Sequence, residues 1–139
     1  MQLRSYLRIG GIGIATGWVS GISAFVLIHP ETMAYSEYAF YPLAFIVIAG
    51  AFAYLFADSL TESIYSILLC FLFGSTVFLT SQLAPLYILP YDPETRRVLM
   101  IPFLARAVTT AITKYIYYLL SGYMAAVGGS YLYAHWQGP

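Results

Sequence analysis

Charged residues are scarce in this sequence, and so are most residue types that carry chemistry in soluble enzymes. Only 9% of the 139 residues are charged, whereas a soluble domain carries about 25%. Asparagine is absent, and there are one lysine, one cysteine and two histidines. A single cysteine excludes an intrachain disulfide and a thiolate metal cluster, and a net charge of zero without a basic run offers nothing to nucleic acid. These absences argue against a soluble enzyme, a nucleic-acid-binding protein and a disordered chain.

Apolar residues make up 60% of the chain, and its six acidic and six basic residues are clustered. Four long stretches carry no charge: 9–30, 38–57, 63–91 and 115–139. A membrane-spanning helix needs about 20 apolar residues, so each stretch is long enough to hold one. The pattern predicts an all-α integral membrane protein, a single membrane domain over 1–139 with four transmembrane helices in an up-down arrangement. The predicted spans are about 9–28, 38–57, 63–84 and 107–134.

Local signals mark the start and the end of the third helix. Ser59 and Glu62 have the spacing of a capping box, which places the first helical residue at about Leu60. Pro85 follows the apolar run and is expected to end the helix, because proline has no N–H to donate. Asp58 and Glu62 have no basic residue near them in the sequence, and as a pair they could relay protons or hold a cation. The favoured interpretation is a capped hairpin turn that lies in water.

The last helix is predicted to be longer than a bilayer is thick. Residues 92–94, Asp-Pro-Glu, place an acceptor, a proline and an acid where a helix begins. The helical pattern continues almost to the C-terminus with an interruption at Pro102, and 93–106 forms an extension of the span. Residues 102–134 alone would measure about 50 Å at 1.5 Å per residue, against roughly 30 Å of hydrocarbon. The helix is therefore expected to project from the membrane or to bend at Pro102.

A stripe of glycines marks one face of the first helix. Gly13, Gly17 and Gly21 recur every four residues, which lets another helix backbone approach closely. The pattern predicts a tight helix–helix contact, with a partner either in this chain or in another one. Trp18 lies near the middle of the same span and is expected to face protein, where its indole N–H finds an acceptor. Most tyrosines, Tyr115 among them, lie near predicted span ends, as in an aromatic belt.

Polar residues of the last helix form a stripe that is the candidate site of this sequence. Arg106, Thr110, Thr113 and Lys114 recur at spacings of three and four. The same face carries Thr109, Tyr117 and Ser121. The stripe predicts a polar path or a contact for an anionic ligand, since charged residues of membrane helices justify a functional hypothesis. The competing interpretation is snorkelling, with Lys114 at the membrane boundary, Arg106 about 12 Å further out and both side chains reaching the headgroups.

No catalytic residue, metal site or cofactor is predicted. His29 and His135 end the first and last spans, which places them on opposite membrane faces and too far apart to share a metal. The predicted spans carry no Asp or Glu in their central turns, which argues against proton-coupled transport. We expect a protein that is not an enzyme.

The leading functional hypothesis is a non-catalytic membrane subunit that packs by helix–helix contacts into a larger complex of the bioenergetic or translocation type. Its expected partners are the lipid bilayer and other membrane subunits or copies of itself, and not nucleic acid. The second hypothesis is a homo-oligomeric channel or facilitator, with a path lined by the stripe from Arg106 to Ser121. The third is a subunit of a homopolymeric helical filament derived from the membrane. The sequence names neither the membrane nor the orientation of the chain in it.

Overall fold

The computed structural model describes residues 2–29 and 40–138, and every regular element in these two ranges is a helix. The first three helices are α1 (Leu3–Ile28), α2 (Phe40–Leu55) and α3 (Leu60–Ile88). They are followed by one long helix, Pro93–Trp136, which consists of α4 (Pro93–Thr110), a π turn (Ala111–Tyr115) and α5 (Ile116–Trp136). The prediction of four helices and no strand is confirmed for these residues. The predicted start of the second span, at residue 38, lies outside them.

Three of the four helices are long and apolar enough to cross a membrane: α1, α3 and the long helix. Helix α2 is apolar but has only 16 residues. At 1.5 Å per residue, α2 measures about 24 Å, somewhat less than the hydrocarbon of a typical bilayer.

Two helices begin where their sequence signals place them. The Ser59 hydroxyl accepts a hydrogen bond from the Glu62 backbone N–H at 3.2 Å and so caps α3. The Asp92 carboxylate accepts one from the Thr95 N–H at 3.3 Å, and Pro93 lies in the first turn of α4. Each cap satisfies a backbone N–H that has no partner within its own helix. Hydrogen bonds from the side chain and the backbone of Thr95 also lower the pKa of Asp92.

Pro85 and Pro102 lie inside helices, so the predicted helix end and the predicted interruption are both wrong. Helix α3 continues past Pro85 to Ile88, and the Leu89 N–H donates to the Pro85 carbonyl at 3.1 Å. A proline removes its own N–H from the helix, and the hydrogen bonds of the neighbouring residues remain. The irregular part of the long helix is instead the π turn, in which one residue is added to a helical turn.

Helices α1 and α3 run side by side in the same direction. Near the start of α1, the Ser5 hydroxyl donates a hydrogen bond to the Glu62 carboxylate in the first turn of α3. After the last residue of α1, the His29 ring nitrogen Nε2 lies 2.9 Å from the Gln82 amide oxygen near the end of α3. The two helices therefore lie alongside each other from near the start of α1 to its end.

The long helix runs opposite to α1 and α3. Arg106 donates to the carbonyl of the last residue of α1, and Tyr123, further along, contacts Ser63 near the start of α3. The bundle thus has two ends. We name them the turn end, where residues 56–59 join α2 to α3, and the link end, where residues 89–92 join α3 to α4.

Helices α1 and α3 approach until their backbones touch, and the glycine stripe of α1 lies in the contact. A Cβ at Gly17 would lie 2.9 Å from a carbonyl oxygen of α3, and one at Gly21 would lie 2.5 Å from another. A Cβ at Gly13 would lie 2.8 Å from the Leu69 side chain. The partner that approaches these glycines is therefore a helix of the same chain.

A second close contact joins α2 to α5. A Cβ at Gly50 would overlap the Leu119 carbonyl oxygen, and a Cβ at Gly122 would overlap the Val47 carbonyl oxygen. Neither glycine belongs to a repeated spacing, so the sequence pattern does not single them out. Together the two glycine contacts join α1 to α3 and α2 to α5.

Candidate functional site

The interior of the bundle holds a buried polar cluster centred on Tyr115. Its hydroxyl lies 2.8 Å from the Ser20 hydroxyl of α1 and 3.4 Å from the Cys70 carbonyl oxygen of α3, to which it donates. The Tyr115 side chain is 0% exposed, and a Cβ at Gly74 would overlap its hydroxyl. The cluster therefore joins α1, α3 and the long helix through one phenol group.

The aromatic-belt interpretation is wrong for Tyr115, which lies at the end of the π turn and points into the bundle. Hydropathy places this residue at the edge of an uncharged stretch, whereas its depth in the bundle follows from how the long helix is aligned with α1 and α3. The sequence signal that was available is the pair of small residues opposite it, Ser20 and Gly74, but their alignment with Tyr115 is a tertiary property.

A second tyrosine on the same face makes a similar contact nearer the turn end. The Tyr123 hydroxyl lies 2.7 Å from the Ser63 hydroxyl, and both residues are buried. The ring of Tyr54 on α2 packs edge-on against Tyr123, with 6.0 Å between ring centroids. Buried hydroxyl pairs of this kind satisfy groups that would otherwise lose their hydrogen bonds, so the inner face of the long helix is positioned by polar as well as apolar contacts.

Charged residues cluster at the turn end. Arg8 of α1 forms an ion pair with Asp58, and its Nη1 lies 3.6 Å from the Glu62 carboxylate. Glu62 also accepts hydrogen bonds from the Ser5 hydroxyl and, at 3.2 Å, from the Asp58 backbone N–H, and it is 8% exposed. The solvated turn predicted from the sequence is therefore wrong for Glu62. Because α1 runs parallel to α3, it brings a basic residue that is distant in sequence next to both acids.

Arginines of α4 bind the carbonyl ends of two helices at the link end. Arg106 Nη2 donates to the Ile28 carbonyl of α1 at 3.2 Å, and Arg96 Nε donates to the Leu86 carbonyl of α3 at 2.8 Å. The last carbonyls of a helix lack intrahelical partners and carry partial negative charge, so a guanidinium is favourable there. Arg106 thus has a structural partner within the chain.

The stripe predicted from the sequence lies on the outside of the bundle. Arg106, Thr113 and Lys114 are exposed, and Thr110 is half-buried. The Thr113 hydroxyl donates to the Thr109 carbonyl at 2.7 Å within its own helix. The four residues therefore share one outward face and do not converge on an interior path of this chain.

Lys114 lies halfway between the two ends of the bundle, because its neighbour in the chain, Tyr115, contacts the central parts of α1 and α3. Tyr115 contacts Ser20 and Gly74, which lie near the middle of the uncharged parts of α1 and α3. Arg106, which contacts the end of α1, is eight residues earlier and about 12 Å away along the helix axis. The hydropathy pattern put Lys114 at the edge of a span, whereas the bundle puts it level with the centre of α3.

Trp18 does not face the interior of this chain. Its side chain is 55% exposed, and its ring centroid lies 6.2 Å from that of Phe73. Gly17 and Gly21 occupy the face of α1 that packs on α3, so the residue next to Gly17 is turned away by about 100°. This chain does not bury Trp18, so the expectation that it faces protein stays a prediction about a neighbouring molecule.

An apolar groove of about 480 Å³ lies between α1 and α2. Its lining includes Ala15, Val19, Phe45 and Phe52. Thr16 also lines it, but its hydroxyl donates to the Ile12 carbonyl at 2.6 Å. The groove can therefore accommodate apolar groups such as acyl chains.

The two histidines lie at opposite ends of the bundle. His29 is at the link end next to Gln82, and His135 is near the end of α5 on the exposed surface. Across residues 2–29 and 40–138, no group of three His, Cys, Asp or Glu side chains is close enough to hold a metal ion.

Comparison with known proteins assigns no family to the chain, since no family model, curated protein or solved structure matches it.

Proposed function

We propose that the chain is an integral membrane protein and serves as a non-catalytic, helix-packing subunit of a larger membrane complex of the bioenergetic or translocation type. The observation that carries the proposal is the small share of the long helix that the chain itself covers. Only 11% of the residues in the most apolar segment of the long helix are buried, against 44% in that of α1 and 33% in that of α3. A helix of 44 residues with so little cover is well suited to contacts with other subunits.

Membrane insertion is supported by the side chains that point away from the bundle. Large apolar residues cover the outer surfaces of the first three helices, including Ile14, Ile22, Phe45, Phe52, Leu68 and Leu72. Outward hydroxyls find acceptors within their own helices: Thr76 and Thr113 each donate to the carbonyl four residues earlier, at 2.9 and 2.7 Å. Lipid offers no hydrogen bonds, so this arrangement suits a hydrocarbon environment.

The start of the long helix supports a protein partner outside the bilayer. At 1.5 Å per residue the long helix measures about 66 Å, roughly twice the hydrocarbon thickness. Because Arg106 contacts the end of α1, the residues before it extend beyond that end. Val98 and Ile101 lie in this extension and are 68% and 72% exposed. Apolar side chains beyond the bilayer need cover, and another subunit would supply it.

The glycine stripe of α1 adds no support for an external partner. Gly13, Gly17 and Gly21 already pack on α3. The contacts available to other subunits are therefore those of the long helix and of the outer faces of α1 to α3.

Mild-detergent extraction of native membranes, followed by a native gel and mass spectrometry, tests the proposal. We expect the chain to migrate in one band with other membrane proteins. The double variant Val98→Ser/Ile101→Ser should leave that band, whereas Leu132→Ser, which alters an equally exposed residue near the turn end, should remain. A lone chain, a homo-oligomer or a homopolymeric filament without any other protein would contradict the proposal.

The second candidate is a homo-oligomeric channel or facilitator. It is supported by the outward orientation of Arg106, Thr113 and Lys114, which would line a central pore in a ring of copies. Purified chain in lipid vesicles would then conduct anions, and Lys114→Ala would lower the flux at least tenfold. Absence of flux, or equal flux in the variant, rejects this function.

A further inference from the structure

Lys114 is the only basic residue placed at mid-depth among the residues that the structure describes. It is exposed next to the fully buried Tyr115, and the described residues offer it no ion pair. In a membrane, an amine at this depth needs water or an acceptor from a neighbouring molecule. The outer face therefore contains a polar group whose partner lies outside the chain.

Snorkelling does not bring this amine to the headgroups. The level of Arg106, at the end of α1, is about 12 Å from Lys114 along the helix. An extended lysine side chain reaches about 6 Å from its Cα atom. If the bundle spans the bilayer with its uncharged helix centres at the midplane, the amine remains within the hydrocarbon.

A second copy of the chain does not supply a carboxylate at this depth from its described residues. Of the six acidic residues, two lie at the turn end, two at the link end and two outside the described ranges: Asp58 and Glu62, Asp92 and Glu94, Glu31 and Glu37. The two acids at the turn end already contact Arg8. No described acid of a second copy is therefore placed at the depth of Lys114, which favours a carboxylate from a different protein.

The surroundings of Lys114 suit a carboxylate better than a neutral amide. Thr110 and Tyr117 lie one helical turn away on either side and carry hydroxyl groups. A carboxylate can accept from the amine and a hydroxyl on separate oxygens and also carries the negative charge that an amide lacks. Hydrogen bonds between charged partners are also stronger than those between neutral groups.

We propose that Lys114 docks a transmembrane helix of a different protein through an Asp or Glu near the middle of that helix. The inference rests on the proposed role as a subunit and names the chemistry of the partner. Pairing neutralises both charges where lipid solvates neither, so the contact selects partner helices by the presence and depth of one acid.

A synthetic transmembrane peptide is the direct probe of this contact. The purified full chain is reconstituted in phosphatidylcholine vesicles with a dansyl-labelled polyleucine peptide that has one central Glu and no tryptophan. Energy transfer from Trp18 and Trp136, the two tryptophans of the chain, reports association. We expect the Glu peptide to bind at least tenfold more tightly than the same peptide with a central Leu. Equal binding of the two peptides overturns the proposal.

Variants assign the contact to one residue. Lys114→Leu should reduce binding of the Glu peptide to the level of the Leu peptide. Arg97→Leu removes an exposed charge near the start of the same helix and should leave binding unchanged. A peptide with a central Lys should bind the Lys114→Glu variant and not the wild type. This binding would also show that a chain with a substitution at position 114 folds. The proposal is overturned if Lys114→Leu binds the Glu peptide fully, or if Lys114→Glu does not bind the Lys peptide.

The outcomes separate this inference from the proposed function. A native complex that survives Lys114→Leu, together with equal binding of the Glu and Leu peptides, leaves the subunit role and rejects the docking contact. A chain extracted alone from native membranes rejects the subunit role whatever the peptide does. Homo-oligomers that are lost in Lys114→Leu would favour a pore formed by copies of the chain and overturn the docking proposal.

Discussion

Two neighbouring residues of the long helix, Tyr115 and Lys114, belong to faces that are built in different ways. On the inner face, Tyr115 and Tyr123 are buried, and each hydroxyl contacts a serine of another helix. On the outer face, Lys114 is exposed and the Thr113 hydroxyl donates to its own helix. Polar groups of the inner face therefore join helices of this chain, whereas Lys114 on the outer face can contact lipid or another molecule.

The same residue types have different roles at the same depth of the bundle. Hydroxyl groups contribute to folding where a partner helix is within hydrogen-bond distance, as Ser20 is for Tyr115. They contribute little between helices where they bond their own backbone. Four substitutions, the first three each with a control variant, test this division between inner and outer faces.

Gly122→Leu is expected to have the largest effect, because it tests the closest contact of the inner face. A Cβ there would overlap the Val47 carbonyl oxygen, so α2 and α5 must separate. We expect a loss of at least about 3 kcal/mol in the free energy of unfolding, measured in mixtures of mild detergent and SDS. Gly128→Leu on the same helix meets nothing within 4 Å and should change it by less than about 0.5 kcal/mol. Similar losses in both variants would show that the overlap at Gly122 is not the cause.

Arg8→Met is expected to cost about 2 kcal/mol, because it leaves the Glu62 carboxylate without a cation while that side chain is only 10% exposed. The loss stays below that of a fully buried pair because Arg8 is 28% and Asp58 71% exposed. The control is Arg4→Met, which alters an exposed arginine one turn earlier. The measurement is again unfolding in SDS mixtures at neutral pH. Equal stability of the two variants would place Glu62 in contact with water.

Tyr115→Phe removes one hydroxyl from the inner cluster and keeps the ring. The Ser20 hydroxyl and the Cys70 carbonyl then lose a buried partner, which should lower the free energy of unfolding by about 1 kcal/mol. Tyr117→Phe makes the same chemical change on the outer face and should leave stability unchanged. If the two variants unfold alike, the hydroxyl of Tyr115 does not hold the three helices together.

Lys114→Leu is expected to have the smallest effect on the isolated chain. The residue is exposed and has no ion pair among the described residues, so the free energy of unfolding should change by less than about 0.5 kcal/mol in detergent. Circular dichroism should show the same helix content as the wild type. A loss of more than about 1 kcal/mol in the free energy of unfolding would show that Lys114, like the residues of the inner face, stabilises this chain.

Local signals in the sequence predicted the four helices and two of their starting residues. The uncharged stretches correspond to helices, and Ser59 and Asp92 cap α3 and α4 as their spacings indicate. Local signals were less reliable for helix ends. Pro85 and Pro102 lie inside helices, because a proline removes only its own N–H donor, and the Pro85 carbonyl still accepts a hydrogen bond from the Leu89 N–H.

The candidate site was predictable in its residues and not in its depth or its neighbours. The spacing of Arg106, Thr110, Thr113 and Lys114 places them on one helix face, which is the outer face of the bundle. Their depth depends on how the long helix is aligned with α1 and α3, and this alignment follows from the Tyr115 and Tyr123 contacts. Hydropathy averages over a window and carries no information on which residue of another helix lies opposite.

The helical character of the chain was predictable from the sequence alone, because uncharged apolar stretches and helix caps act over a few residues. Which residues share a helix face was predictable as well, since that depends only on the period of the helix. The tertiary structure decided that Tyr115 is buried, that Glu62 contacts Arg8 and that Lys114 lies at mid-depth. These outcomes depend on close glycine contacts and hydroxyl pairs between helices distant in the chain, which set the register by direct contact between atoms.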